Sequence, residues 1–411
     1  MTTKLGRLVL ITCLAWSTQI ARAESLVEPF LVKGQLAEGA IALQARLKAE
    51  PQDDQARFGL GVIQFLQTFE HLGTSLYRHG LRTERALLGA PWSPSPLVPQ
   101  NPTPEELSHA QLRKILQTIL DDLKQVETTL ATVKDPQVKL PLPVDQMKVD
   151  LFGLRHPVDA RMVMSLNAPQ LPIRPAPFYV AFDRGDVNWL RGYCHIVSAF
   201  VEGILAVDTQ ELFECSAHLF FEKVTTPHTF LLEGERAFSS VTRFDQAMIS
   251  DVIAFLHLWR YPVKEPERML SALSHLEAAL GQAREMWKHY QSETDDDREW
   301  IPNPRQTGVM GMKITAEMVE LWLSTLDEAD LILQGKRLVP FWRHGESGTG
   351  LNFRRVFTEP KTLDPFLWWQ GTAATPYLEK GPLSKLSDRE LQTRLNTIFG
   401  SNFFRFAFWV N

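Results

Sequence analysis

Two stretches of this chain place apolar residues at alternating four- and three-residue steps, and that spacing confines the fold more than any other feature. Leu112, Leu116, Ile119, Leu123, Val126, Leu130 and Val133 form the first series, and Met269, Leu273, Leu276, Leu280, Ala283, Trp287 and Tyr290 the second. A period near 3.5 draws these side chains into one stripe along a helix, and such a stripe is stable only when packed against a neighbouring helix. An antiparallel pair or short coiled coil is therefore expected. Thr103, Pro104 and Glu106 read as N-cap, first-turn proline and capping-box acid of the first helix, and Asp135-Pro136 ends it. Further helices are predicted over 186–207, 208–221, 243–261, 266–290 and 314–333. After Gly335 the pattern turns strand-like and aromatic, with turns at 345–350 and at Gly371. The expected class is mainly α, helical hairpins or a bundle with a minor β element near the C-terminus.

Nearer the N-terminus, Gly34, Leu47 and Pro51, followed by Leu60-Gly61, fall at tetratricopeptide (TPR) spacing. Residues 34–66 thus resemble the second helix of one such unit and the first of the next. Pro51 ends a helix, Asp53 or Asp54 can cap its successor, and Gly61 permits close helix contact. No second copy follows at the family's 34-residue interval. The resemblance implies a helical hairpin able to receive a protein or peptide partner.

The chain begins with an export-type leader. Lys4 and Arg7 precede an apolar run from Leu8 to Trp16, and Ala21-Arg22-Ala23 supplies the small-x-small cleavage pattern, so a mature start at Glu24 is expected. The run is too short to span a bilayer of roughly 30 Å as a helix. The organisation that follows is a signal peptide at 1–23, TPR-like helices at 24–90 and a proline-rich linker at 91–104. A helical core occupies 105–334, with a proline-rich insert at 136–178 expected to form a small β-ribbon or to drape over helices. An aromatic-rich mixed α/β region occupies 335–411. An exported chain is periplasmic or extracellular.

Charge narrows the partners. Removing Lys4, Arg7 and Arg22 with the leader takes the net charge from −5 to −8, which argues against nucleic acid and against an anionic membrane surface. No later apolar run free of charge is long enough to cross a membrane. Cys194 and Cys215 are the two cysteines left after cleavage. With a turn near Asp208, an antiparallel pair would set them about 21 Å and 10 Å from it, a mismatch beyond the ~7 Å Cα limit of a disulfide. Free, buried thiols are expected.

Candidate chemistry reduces to a short list. Residues 345–350 carry the glycine frame of a phosphate loop. Leu351-Asn352 replace the required Lys-[Ser/Thr], and Thr349 replaces the last glycine of a nucleophile elbow. A flexible turn is expected there. His218 with Glu222 and nearby His228, and His195 with Glu202, stand at helical spacings for metal ligands but lack a third ligand in pattern. Asp295, Asp296 and Asp297 with Glu293 and Glu299 read as a solvated acidic loop, and Asp183 and Asp186 as helix-start acids. Trp189, Trp259, Trp287 and Trp322 fall on apolar helical faces and read as core. Trp342, Trp368 and Trp369 are not so explained and are the candidate ligand-facing aromatics. Alternation over Phe403-Phe404-Arg-Phe406-Ala-Phe408-Trp409 predicts a terminal strand docked on the core. No catalytic residue, cofactor or metal emerges. The expected function is an exported helical scaffold that binds protein or peptide. The alternative is an envelope enzyme or binding protein acting on glycan or another wall component, marked by a pocket joining Trp368 or Trp369 to two carboxylates about 5–10 Å apart.

Overall fold

The computed structural model describes residues 25–82, 86–87, 90–91, 99–162, 178–233, 246–311, 313–343, 348–400 and 403–410. The leader and residues 345–347 of the 345–350 string lie outside the described residues, while Thr349 and Gly350 belong to a strand rather than to the turn expected there. The chain is mainly α with small antiparallel sheets. Three N-terminal helices open it: α1 (Glu28–Lys33), α2 (Leu36–Ala49) and α3 (Asp54–Arg78). Asp53 caps α3 by accepting a hydrogen bond from Ala56 N at 2.9 Å. Gly34 ends α1 at φ 68°, a left-handed conformation that suits glycine.

The first heptad stripe is α4 (His109–Leu130). Leu123, Val126, Leu130 and Val133 are all buried, so the stripe packs inward as its spacing predicts. Gly61 of α3 lies against it, and a Cβ there would stand 2.3 Å from Leu130 Cδ2. The predicted start at Thr103 is corrected to Ser108, whose Oγ accepts from Gln111 N while Gln111 Oε1 accepts from Ser108 N. The reason is Leu107. It is fully buried, and its N–H and C=O are taken by Lys223 and Thr225 in a strand-like bridge, so 104–107 cannot coil.

Within the described part of the proline-rich insert, Lys148–Val149 pairs antiparallel with Val158–Asp159 as a short ribbon, and a strand near the insert's start pairs with one just beyond its end. β1 (Leu140–Pro143) pairs antiparallel with β2 (Tyr179–Phe182), Leu140 opposite Phe182 and Pro143 opposite Tyr179. α5 (Arg184–Ala206) follows directly, then α6 (Gln210–Ser216), a 3₁₀ turn over Ala217–Leu219, and α7 (Gln246–His257). The second heptad stripe is α8 (Pro266–Ser292). The α5–α8 contact is the most extensive between any two helices. Gly185 makes its close approach possible, since a Cβ would sit 2.3 Å from Tyr290 Cε1. α9 (Ala316–Leu333) packs on α8.

The last third holds β3 (Val339–Pro340), β4 (Thr349–Leu351) and β5 (Leu378–Lys380) in one antiparallel sheet of that order. The short helices α10 (Phe353–Thr358) and α11 (Pro365–Gln370) intervene, and α12 (Arg389–Phe399) and α13 (Phe403–Val410) end the chain. The strand predicted over 403–409 is corrected to helix α13. Phe406 and Val410 face inward while Phe404 and Phe408, one turn apart, are exposed. An alternating run of aromatics satisfied both faces of a helix as well as it would a strand.

One apolar core joins α1–α5 and β1, and another joins α8, α9, α12 and α13. Trp189 packs against both, with its indole N–H donating to Trp409 O at 2.8 Å. Trp287 and Trp322 are buried as expected. Cys194 and Cys215 are both free. Cys194 is buried, but Cys215 is only half-buried, which corrects the expectation of two buried thiols. No helix among the described residues is long and apolar enough to cross a membrane.

Candidate functional site

Of the three candidate tryptophans, Trp342 and Trp369 share an exposed face and Trp368 does not. α11 is capped at both ends: Asp364 accepts from Leu367 N at 2.9 Å, and Gly371 closes the helix at φ 108°. Consecutive residues on a helix point about 100° apart, so Trp368 turns inward and stacks on Tyr377 at 5.8 Å. Trp369 turns outward and is 87% exposed. Trp342 lies beside it, 48% exposed, and its indole N–H donates to Trp369 O at 3.1 Å. Arg343 Nε donates to Gln370 O at 2.6 Å.

Phe366 (53% exposed), Leu367 and Leu363 extend the apolar surface. Below it, Phe366 stacks on Trp259 at 5.8 Å, and Leu363 and Tyr261 exchange backbone hydrogen bonds at 2.7 and 2.9 Å. Three segments therefore hold the exposed rings in place before anything binds. Arg260, Arg343 and Lys361, all exposed, are close sequence neighbours of these residues, as are the acids Glu359 and Asp364.

A second constellation is one that sequence reading divided among separate features. Asp183 is the N-cap of α5, accepting from Gly185 N at 2.6 Å, while Asp186 Oδ2 accepts from Asp183 N at 2.9 Å. Their reading as helix-start acids therefore holds. The loop after α8 brings Glu293 and Glu299 onto Asp183, with one carboxylate oxygen of each inside a 4.8 Å cluster. Only part of that acidic run is solvated, because Glu299 is buried.

Burial raises the Asp183 carboxyl and raises Asp186 further, the Asp183 charge adding to the latter. Glu293 is pushed up to about 9, first by desolvation and then by the Asp183 charge, and it is hydrogen-bonded to Asp183. Glu299 is pushed up to about 7 by desolvation. A proton held on Glu293 and donated to Asp183 relieves the like charges. Tyr290 O–H donates to Asp186 Oδ1 at 2.7 Å, and Lys139 Nζ pairs with Asp295 at the rim. Three carboxylate oxygens at this spacing are also the donor type of a hard cation such as calcium. No sequence spacing points to this cluster, because at least 110 residues separate Asp183 from the two glutamates.

The histidine candidates resolve differently. His195 Nδ1 faces His275 Nδ1 of α8 at 3.0 Å, and Glu202 instead accepts from Arg268 at 2.8 Å. Burial lowers both histidines, so the pair is held neutral with one ring donating to the other. Glu127, held by Arg191 at 2.7 Å, stands beside them. His218 Nε2 meets Asp251 Oδ2 of α7 at 3.1 Å. These are polar seams between packed helices.

Neither Trp368 nor Trp369 belongs to the cluster of Asp183, Glu293 and Glu299. Comparison with known protein families, with curated proteins and with solved structures finds no match to this chain.

Proposed function

We propose that this protein is an exported, non-enzymatic helical scaffold that binds a protein partner on the face formed by Trp342, Phe366, Leu367, Trp369 and Leu363. The observation that carries the reading is the exposure of two tryptophans and a phenylalanine fixed in one patch. Contiguous exposed apolar surface of this kind marks interaction sites, and Trp with Arg is the composition of binding hot spots. Rings already fixed by caps and stacking lose little entropy on binding.

The aliphatic neighbours Leu363 and Leu367 favour protein over sugar, since a sugar platform pairs its ring with flanking hydrogen-bonding side chains. The exposed cations Arg260, Arg343 and Lys361, next in sequence to the patch, favour a partner segment that is apolar at its centre and carries acids at its edges. Export rests on the leader ending at Ala23, and the TPR-like hairpin at 34–66 is a second surface of the same class.

The test is affinity capture from the envelope fraction of producing cells, comparing wild type with Trp369→Ser/Phe366→Ser. The reading expects a partner retained by wild type and by an Ile41→Ser control on α2, lost from the double variant, and weakened by salt. Identical captured proteins on all three would overturn it.

A further inference from the structure

Between α4, the end of α5, α6 and α7 lies a half-open cavity of about 220 Å³. Its wall is built from Leu116, Ile204, Leu212, Phe213, Phe220 and Phe255. Three polar residues also line it, and each is already engaged with the protein. Arg113 donates to Leu205 O at 2.9 Å and pairs with Glu265, Thr209 Oγ1 meets His109 Nε2 at 3.0 Å, and Ser216 Oγ donates to Leu212 O. The wall therefore presents carbon. A water molecule held there would lack the two to four polar partners it needs.

We infer that this cavity binds a hydrocarbon group, either an alkyl chain end or a small aromatic ring system. Because the cavity is half open its carbon wall meets water, and an apolar occupant would take that surface out of water. An engineered apolar cavity of about 150 Å³ takes benzene. At the roughly 25 Å³ per carbon which that pair implies, 220 Å³ accommodates about nine carbons. Rings run from the cavity wall outward: Phe220 lies 5.7 Å from Phe255, and Phe255 5.6 Å from Trp259. The site shares no residue with the partner-binding face and does not rest on it.

The experiment titrates the folded mature protein with 1-nonanol and, separately, with naphthalene, by calorimetry and by thermal unfolding. The inference expects one saturable site and a melting temperature that rises with the logarithm of ligand concentration. Ala217→Phe, which extends a ring from the cavity wall, should weaken binding at least tenfold. Ile204→Phe serves the same purpose should the first variant fail to fold. Trp369→Ser/Phe366→Ser should bind as wild type. Tighter nonanol binding identifies a chain end as the natural ligand type, and tighter naphthalene binding a ring. Absence of saturable binding to folded wild type, or unchanged affinity in a folded filled variant, would overturn the inference.

Discussion

Glu293→Gln tests the carboxylate cluster through its pH dependence. The wild-type carboxyl is pushed up to about 9 from an ordinary 4.5, so between those values the folded chain holds a proton that the unfolded chain has released. A raised value of this kind contributes stability that is complete below about pH 4.5 and is lost as pH rises through about 9. The full shift corresponds to about 6 kcal/mol at 1.36 kcal/mol per unit. Glu293 is partly exposed, and solvent screening reduces this to about 2 kcal/mol. Glutamine keeps a donor toward Asp183 but cannot ionise, so the variant loses this pH dependence.

Thermal unfolding by circular dichroism at pH 5, 7 and 9, at fixed ionic strength, reads the effect as variant minus wild type. At about 2.1 cal/mol/K of unfolding entropy per residue, 2 kcal/mol amounts to about 2–3 °C in a chain of this length. The difference should be near zero at pH 5 and should grow to that value in favour of the variant at pH 9. A difference independent of pH would show that Glu293 does not hold the shared proton.

Other outcomes follow from the same geometry. Leu123→Asp places an unpaired charge in the buried stripe of α4 and should cost on the order of 3 kcal/mol or more in chemical denaturation; a change within about 0.5 kcal/mol would contradict that packing. Thiol titration without reductant should find two thiols after unfolding. In the folded protein Cys194, whose thiol burial pushes up, should react far more slowly than half-buried Cys215, and equal rates would refute the burial. N-terminal sequencing of exported protein should begin within a few residues of Glu24, and an intact Met1 would refute the leader.

Local pattern carried much of the fold. The heptad stripes of α4 and α8 were readable because burial on one helical face leaves a periodic trace. Asp183 and Asp186 were readable as caps because the bonds they make span three residues. Reading failed where distant contacts decide. Leu107 is drawn out of the predicted helix by Lys223 and Thr225, more than a hundred residues away, and α13 looked like a strand because Phe404 and Phe408 are exposed aromatics. Trp342 and Trp369 stood out as tryptophans without a helical core face to fill, whereas Trp368 was separated from Trp369 only by the rotation of α11. The union of Asp183 with Glu293 and Glu299 left no trace, because a carboxylate that will be buried is written like one that will be solvated.

The central claim is that Trp369 sits in a partner-binding face, and site-specific photo-crosslinking tests it most directly. A photoreactive phenylalanine analogue would replace Trp369 in one sample and exposed Lys288 of α8 in another, with irradiation in producing cells. The account predicts one discrete covalent adduct with a second protein from position 369 and none from position 288. No adduct at 369, or the same products from both positions, would contradict it.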